Sequence, residues 1–169
     1  MELTMQENNL QMFHININCT NLDRSLAFYK AIGFRVLNDF ANDKGSCEHG
    51  LELGAQNANL PRILGVDPAS LDRAVMLQLG DNPRATRLDL KEWRKPITAG
   101  RPPGMTNTGM ARLCFKVKDC LAAFRAVKSV DGECISEPLL IPFAGTKQKV
   151  FCCYDPDRTI LEFIEFVKS

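Results

Sequence analysis

Apolar and polar residues alternate strictly over Phe13-His14-Ile15-Asn16-Ile17-Asn18, with Phe13, Ile15 and Ile17 on one face and His14, Asn16 and Asn18 on the other. A period of two is that of a β-strand with one polar face. Residues 21–33 switch to helical spacing, in which Leu22, Leu26, Tyr29 and Ile32 form one stripe; Asn21 is placed to cap the start and Gly33 to end the helix in the left-handed region. Extended segments follow at 34–37, 47–53, 74–79 and 86–93. A polar turn region at 38–46, a loop at 56–69 with one helical turn at 60–64, and a Gly80-Asp81-Asn82-Pro83 turn separate them. In the last of these strands the alternation brings Arg87, Asp89 and Lys91 to one face.

The pattern then starts again. Residues 110–117 set Leu113, Phe115 and Val117 against Arg112, Cys114 and Lys116, and Asp119 caps a helix whose stripe is Leu121, Phe124 and Val127 or Lys128. A turn at Asp131-Gly132, a strand at 134–136, a long connection at 138–145 and a strand from 149 lead to a closing hairpin through Asp155-Pro156-Asp157. Two tandem copies of strand, helix and three further strands account for the chain, with 10–97 as the first module, 98–108 as a linker rich in proline and glycine, and 109–169 as the second. In the closing strand Ile160, Glu162 and Ile164 share a face. A carboxylate flanked by apolar residues requires a cation, a proton or a hydrogen-bond donor.

Composition narrows the partners. The 169 residues carry a net charge of +1 with the signs interspersed, so there is no basic stripe for a phosphate backbone and nucleic acid is not an expected partner. No run approaches the roughly twenty apolar residues needed to span a bilayer, and the first residues lack the basic start and apolar run of a signal peptide. Seven cysteines, an odd number with no C-x-x-C pair, suit reduced thiols. These features together predict a cytoplasmic protein with a small-molecule ligand.

Three motifs carry a resemblance: the Phe13-His14-Ile15 opening, the helix ending Phe28-Tyr29-x-x-Ile32-Gly33-Phe34, and Asp155-Pro156-Asp157-x-x-x-Leu161-Glu162. In these the chain resembles the vicinal oxygen chelate superfamily, the glyoxalase, bleomycin-resistance and extradiol dioxygenase fold. The resemblance implies an α+β fold of two βαβββ modules forming a curved, incompletely closed, barrel-like mixed sheet with the helices outside. It also implies that exposed sheet edges are covered by pairing, in a homodimer or in a tightly paired two-module monomer. Members use the scaffold for isomerisation, epimerisation, ring cleavage, thiol transfer and metal-free drug sequestration, so the fold does not fix the reaction.

In members that bind a metal, four inward positions supply the ligands, and by local motif these fall on His14, Asp89, Arg112 and Glu162. Arg112 departs from the pattern, because a guanidinium offers no lone pair and repels a divalent ion. Asp89 stands where glutamate is usual, and Arg158 occupies a turn position where glycine is usual.

Three arrangements are open. Arg112 forms a buried ion pair with Glu162 or Asp89; or it clamps an anionic substrate group; or it swings aside and leaves a zinc, nickel, manganese or iron site of His14, Asp89 and Glu162. Absence of a metal is the first expectation. An enzyme of this kind would use His14 and Glu162 as acid and base and Arg112 as anion stabiliser. Asp89, Asn16 and Trp93 would contact a substrate that is a small organic acid, thioester or polycyclic intermediate, in a lyase or isomerase reaction. The alternatives are a metal-free binding protein of the bleomycin-resistance type and a metal-dependent lyase or dioxygenase. His14 is equally a hydrogen-bonded cavity residue, and only one of Glu48 and His49 can face inward.

Overall fold

The computed structural model describes residues 11–40, 63–67 and 70–167. The first module comprises β1 (His14–Cys19), α1 (Leu22–Ala31), β2 (Phe34–Asp39), β3 (Leu71–Leu79) and β4 (Arg87–Trp93). The second comprises β5 (Leu113–Lys116), α2 (Cys120–Lys128), β6 (Leu139–Phe143), β7 (Thr146–Tyr154) and β8 (Ile160–Val167). Each module is a four-stranded mixed sheet, ordered β1-β4-β3-β2 and β5-β8-β7-β6. The first and last strands of each module pair in parallel and the others antiparallel. Among the described residues the sheets do not close into a barrel, and no described helix is long and apolar enough to cross a membrane.

The alternation of β1 is realised as expected: Ile17 and Cys19 are buried beneath α1, and Asn16 and Asn18 are exposed on the other face. Both helices start at the predicted caps. The Asn21 side chain accepts from the Arg24 amide and the Asp119 side chain from the Ala122 amide, each at 2.9 Å. A second acceptor reaches each helix start from the last strand of its own sheet. Glu92 of β4 accepts from the Leu22 amide at 3.0 Å, and Glu165 of β8 from the Cys120 amide at 2.9 Å. Carboxylates at these ends satisfy otherwise unpaired amides and favour the helix dipole. Gly33, at φ 103°, turns the chain from α1 into β2.

The helices pack against their sheets and against each other; the buried surface of α1 is wider than a single stripe, and α2 covers one stripe, Cys120, Ala123, Phe124 and Val127. On α1, Ser25 and Phe28 are buried with Leu22 and Tyr29, while Leu26 and Ile32 are only partly covered. On α2, Cys120 and Val127 are buried, and Leu121, expected in the stripe, is exposed. Rings continue the core across the module boundary. Tyr29 meets Phe34, Phe34 meets Phe115, Phe115 meets Phe163, and Phe163 stacks on Phe151 with centroids 4.8 Å apart.

Two assignments need correction. Cys134-Ile135-Ser136 is not a strand but a single bridge, Cys134 opposite Cys153, and the strand β6 lies in the stretch read as a connection. β6 is an outer strand pairing only with β7, which is where a strand proline such as Pro142 is tolerated. Ala144 (φ 45°) and Gly145 (φ 78°) make the tight turn into β7. The extended segment expected at 47–53, with Glu48 and His49, and most of the helical turn expected at 60–64 lie outside the described residues.

One buried carboxylate joins the modules. Asp155 accepts from the Tyr29 hydroxyl of α1 at 2.9 Å and from the amides of Asp157 and Thr159 in its own turn at 2.9 and 2.7 Å. Asp157 then accepts from Arg24 at 2.8 Å, from Ser25 at 3.2 Å and from Thr20. In the same turn Arg158 has φ 76°, a conformation costing a non-glycine residue about 1 kcal/mol, with its guanidinium 3.6 Å above the Tyr154 ring. Burial pushes the Asp155 carboxyl above its ordinary 3.8, and the bonds from Tyr29, Thr159 and Asp157 only partly oppose it.

Tyr29→Phe is expected to lower stability by about 2 kcal/mol, read as a lower urea midpoint, because a buried carboxylate loses a donor. For Asp155 the sign follows from linkage. The folded state keeps its proton at pH values where the unfolded chain has released it, so this residue's contribution falls as pH rises from about 4 through the folded value. Urea titrations across that range should therefore show Asp155→Asn gaining on the native protein as pH increases.

Candidate functional site

Parallel pairing of β1 with β4 sets Asn16 opposite Asp89 and Asn18 opposite Lys91, on the face away from α1. Asp89 is the centre of this group. Its Oδ2 accepts from Asn16 Nδ2 at 3.1 Å, pairs with the Lys91 ammonium and lies 3.9 Å from His14 Nε2. Asp89 and Lys91 are each 5% exposed. Asp89 Oδ1 and His14 Nδ1 are buried without a hydrogen-bond partner among the described residues.

The second module repeats the layout with different chemistry. Glu162 on β8 lies between Cys114 on β5 and Cys152 on β7. Arg112, two residues before Cys114 as His14 is two before Asn16, donates through Nε to Glu162 Oε2 at 2.8 Å. Asp89 and Glu162 thus occupy equivalent places, each three residues before the glutamate that caps its helix. Strand residues three apart face opposite ways, so one carboxylate of each pair serves the helix and the other the open face.

The hydrogen bond and charge of Glu162 hold the Arg112 guanidinium above its ordinary value. Burial, followed by the negative charge of Glu162, pushes the Cys114 thiol up to about 11 and raises Cys152 as well, against the opposing charge of Arg112. Both thiols are protonated at neutral pH, which makes them poor nucleophiles.

A cavity of about 800 Å³ opens between β1 and the start of β5, under the segment that follows Trp93. Asn16, Asn18, Trp93, Arg112 and Thr159 line it, with an apolar wall that includes Ile97, Pro102, Pro103 and Met110. Trp93 Nε1 donates to Asn18 Oδ1 at 2.7 Å, which fixes the indole at the rim.

Of the predicted site residues, Asn16, Trp93 and Arg112 therefore line one cavity, and His14, Asp89 and Glu162 are not among its lining residues. The structure brings His14, Asn16 and Asp89 together and, separately, Arg112 and Glu162. Among the described residues no hydrogen bond or ion pair joins the two groups. The Arg112–Glu162 pair is not buried as expected, since 44% of the Arg112 side chain is exposed against 17% of that of Glu162. At the cavity edge the guanidinium avoids the desolvation that full burial would impose.

Lys91 is the partner of Asp89 that sequence reasoning passed over. Its signal was present, because the β4 alternation already placed it on the face of Asp89.

These residues do not fit a divalent metal. Each candidate carboxylate already holds a fixed cation, Lys91 on Asp89 and Arg112 on Glu162. No group of three or more histidine, cysteine, aspartate or glutamate side chains among the described residues is placed to hold an ion.

Comparison with known proteins agrees with the architecture. The chain resembles a glyoxalase family protein from Bacillus cereus with a TM-score of 0.73 at 14% identity, covering 98% of this chain and 100% of that one. It resembles the trypanothione-dependent glyoxalase I of Leishmania major with a TM-score of 0.59 at 18% identity, covering 93% and 87%. A glyoxalase family protein from Enterococcus faecalis gives 0.57 at 22% identity, covering 94% and 99%. Likeness at these identities speaks for the fold alone. No curated protein sequence matches. The model of the Glyoxalase/Bleomycin resistance protein/Dioxygenase superfamily matches residues 11–163, and the chain belongs to that superfamily.

Proposed function

We propose that the protein binds a small organic anion with an apolar or aromatic body, without a metal, in the cavity between β1 and β5. The observation that carries this reading is the state of Arg112. Its Nε is committed to Glu162, while its Nη groups meet no protein oxygen among the described residues, only Met105 Sδ at 3.6 Å from one of them. A guanidinium anchored on one edge and open on the other is a preorganised fork for a carboxylate or enolate. About 800 Å³ suits a drug-sized ligand, and Trp93 and the proline-rich wall suit its apolar part.

A second reading adds turnover, and the unpaired buried atoms favour it. His14 Nδ1 and Asp89 Oδ1 lack partners in a position where burial makes that costly. Neither residue lines the cavity, so a water between them and a ligand held on Arg112 would satisfy these atoms and carry the proton, with Arg112 stabilising the anion that forms. This is the lyase or isomerase form of the activity. The described cysteines are free thiols, which suits a cytoplasmic setting.

Calorimetric titration with a panel of aromatic and aliphatic carboxylic acids tests the first reading. At least one acid should bind, and Arg112→Ala should weaken it about 10- to 100-fold, with Arg112→Lys recovering only part of the loss. Equal affinity in native and Arg112→Ala proteins would remove the fork from the site. For the second reading, incubation of a bound acid in D₂O should exchange its acidic carbon-bound proton, and His14→Ala should abolish that exchange while leaving affinity within a few-fold.

On cofactors the expectation is that purified protein carries no stoichiometric metal. A cation about 4 Å from a divalent ion opposes it by several kcal/mol at an effective dielectric near 20. Arg112→His alone should gain little, because Lys91 still occupies Asp89; Lys91→Met with Arg112→His should bind zinc or nickel measurably. Elemental analysis and calorimetry on the three proteins decide this, and one tightly held metal per native chain would overturn it.

A further inference from the structure

Cys134 and Cys153 stand directly opposite one another in an isolated antiparallel bridge. The flanking hydrogen bonds define the kind of pair. The Tyr154 amide donates to the Glu133 carbonyl at 2.9 Å and the Ile135 amide to the Cys152 carbonyl at 2.8 Å, while the two cysteines exchange none. This is the pattern of a non-hydrogen-bonded pair, in which Cα atoms lie about 4.5 Å apart and side chains project from the same face. Disulfides span Cα separations of about 4.4–6.8 Å, so the backbone is already within bonding range.

Other pairings of the described cysteines are less suited. Cys114 and Cys152 flank Glu162 on the two neighbouring strands, which puts them about 9.6 Å apart, twice the strand spacing and beyond reach. Cys152, next to Cys153 in the strand, faces the opposite side of the sheet. Cys19 and Cys120 are buried, each with its thiol donating to a backbone carbonyl, of Lys91 and Phe163 respectively.

We propose that Cys134 and Cys153 are a dithiol modification site that closes to a cross-strand disulfide on meeting a low-molecular-weight disulfide. Exposure sets the order of events. Cys134 is half-buried and reachable, whereas Cys153 is fully buried and can react only with its neighbour. The Cys134 thiolate attacks one sulfur of the small disulfide, whose S–S bond breaks and releases a small thiol. The Cys153 thiolate then attacks Cys134 Sγ, breaking the mixed disulfide and releasing the second small thiol. Two protein thiols lose two electrons and two protons, and the small disulfide gains both. Burial holds the Cys153 thiol up at about 12, with the nearby Cys134 adding to it, so the second step is slow at neutral pH and mildly alkaline solution favours it.

The bond would fasten the connection after α2 to β7. That connection already grips the strand at Cys152, whose carbonyl accepts from the Ile135 and Ser136 amides and whose amide donates to Ser136 Oγ at 3.2 Å. Glu162 of β8 stands opposite Cys152 in register, on the face away from Cys153, so the disulfide would stiffen the backing of the Arg112–Glu162 wall without entering the cavity.

The test is to equilibrate the reduced full chain with oxidised glutathione in mildly alkaline buffer and analyse it by mass spectrometry without reduction. Trypsin does not cut between Cys152 and Cys153, so variants make the assignment. Native protein and Cys152→Ser should each lose two hydrogens and yield the peptide of Cys134 joined to that of Cys153, and Cys134→Ser should not. Tm should rise by roughly 5–10 °C on oxidation of the native protein and stay unchanged in Cys134→Ser. A persistent glutathione adduct at Cys134 with no cross-link, a cross-link that survives Cys134→Ser, or one that disappears in Cys152→Ser would each overturn the proposal.

Discussion

The architecture rests on a buried carboxylate that belongs to one module and is satisfied partly by the other. Asp155 shapes its own turn through the amides of Asp157 and Thr159, and the Tyr29 hydroxyl reaches it from α1. Burial keeps the Tyr29 phenol protonated well above the usual range, so it stays a donor. Once the turn is set, Asp157 collects Thr20, Arg24 and Ser25 from the end of β1 and the start of α1. Thr20, Asp157 and Thr159 also line the cavity. The contacts that hold the modules together are therefore the contacts that fix the cavity's width at that end.

On the open faces of the two sheets the same division of labour recurs. Glu92 and Glu165 are spent on helix N-termini, and Asp89 and Glu162, three residues earlier, face the other way. In a metal-binding relative those inward carboxylates would share a cation from solution. Here each has a cation built into the chain, one from its own strand and one from the residue just before β5. A fixed ammonium or guanidinium beside each carboxylate neutralises its charge. The two halves differ in how far this goes. The Asp89–Lys91 pair is sealed from solvent, and the Arg112–Glu162 pair is open at the cavity, so of the two pairs the second presents unspent donors.

Much of the fold was legible because the local signals agreed with one another. Alternation at 13–18 and 110–117, caps at Asn21 and Asp119, and the turn at Asp155-Pro156-Asp157 all point to repeated modules, and the structure has them. β6 was missed for a physical reason: Leu139-Leu140-Ile141-Pro142-Phe143 is exposed on both faces of an outer strand, so no buried face imposes alternation. The α1 stripe was too narrow because Ser25 and Phe28 are buried beside it, and the α2 stripe begins one residue earlier than expected, at Cys120 in place of Leu121. At the site, the motif positions of His14, Asp89, Arg112 and Glu162 were readable, and the separation into two groups was not. That depends on which charged neighbour each carboxylate takes, and Lys91 competes for Asp89 from two residues away. The cavity wall after Trp93 has no periodicity and could not have been drawn from the sequence.

The ion pair at the cavity also sets what kind of recognition is possible there. With Glu162 bonded to Nε, the Arg112–Glu162 pair carries little net charge and presents a short dipole, while Lys95 and Arg101 are further cations on the lining of the same cavity. On the proposed reading those two cations would attract an anion, and the Arg112 fork would discriminate by geometry, through Nη groups held in a plane beside the apolar wall. A point charge at the same place would attract anions of any shape. A fork braced by a carboxylate instead favours planar, bidentate acceptors such as carboxylates and enolates, with the apolar body set against Trp93 and the prolines. Bracing serves a second purpose, because the guanidinium needs no ligand to hold its position and loses little freedom when one arrives. Glu162 thus positions Arg112, and on the proposed reading it makes the fork itself select by shape.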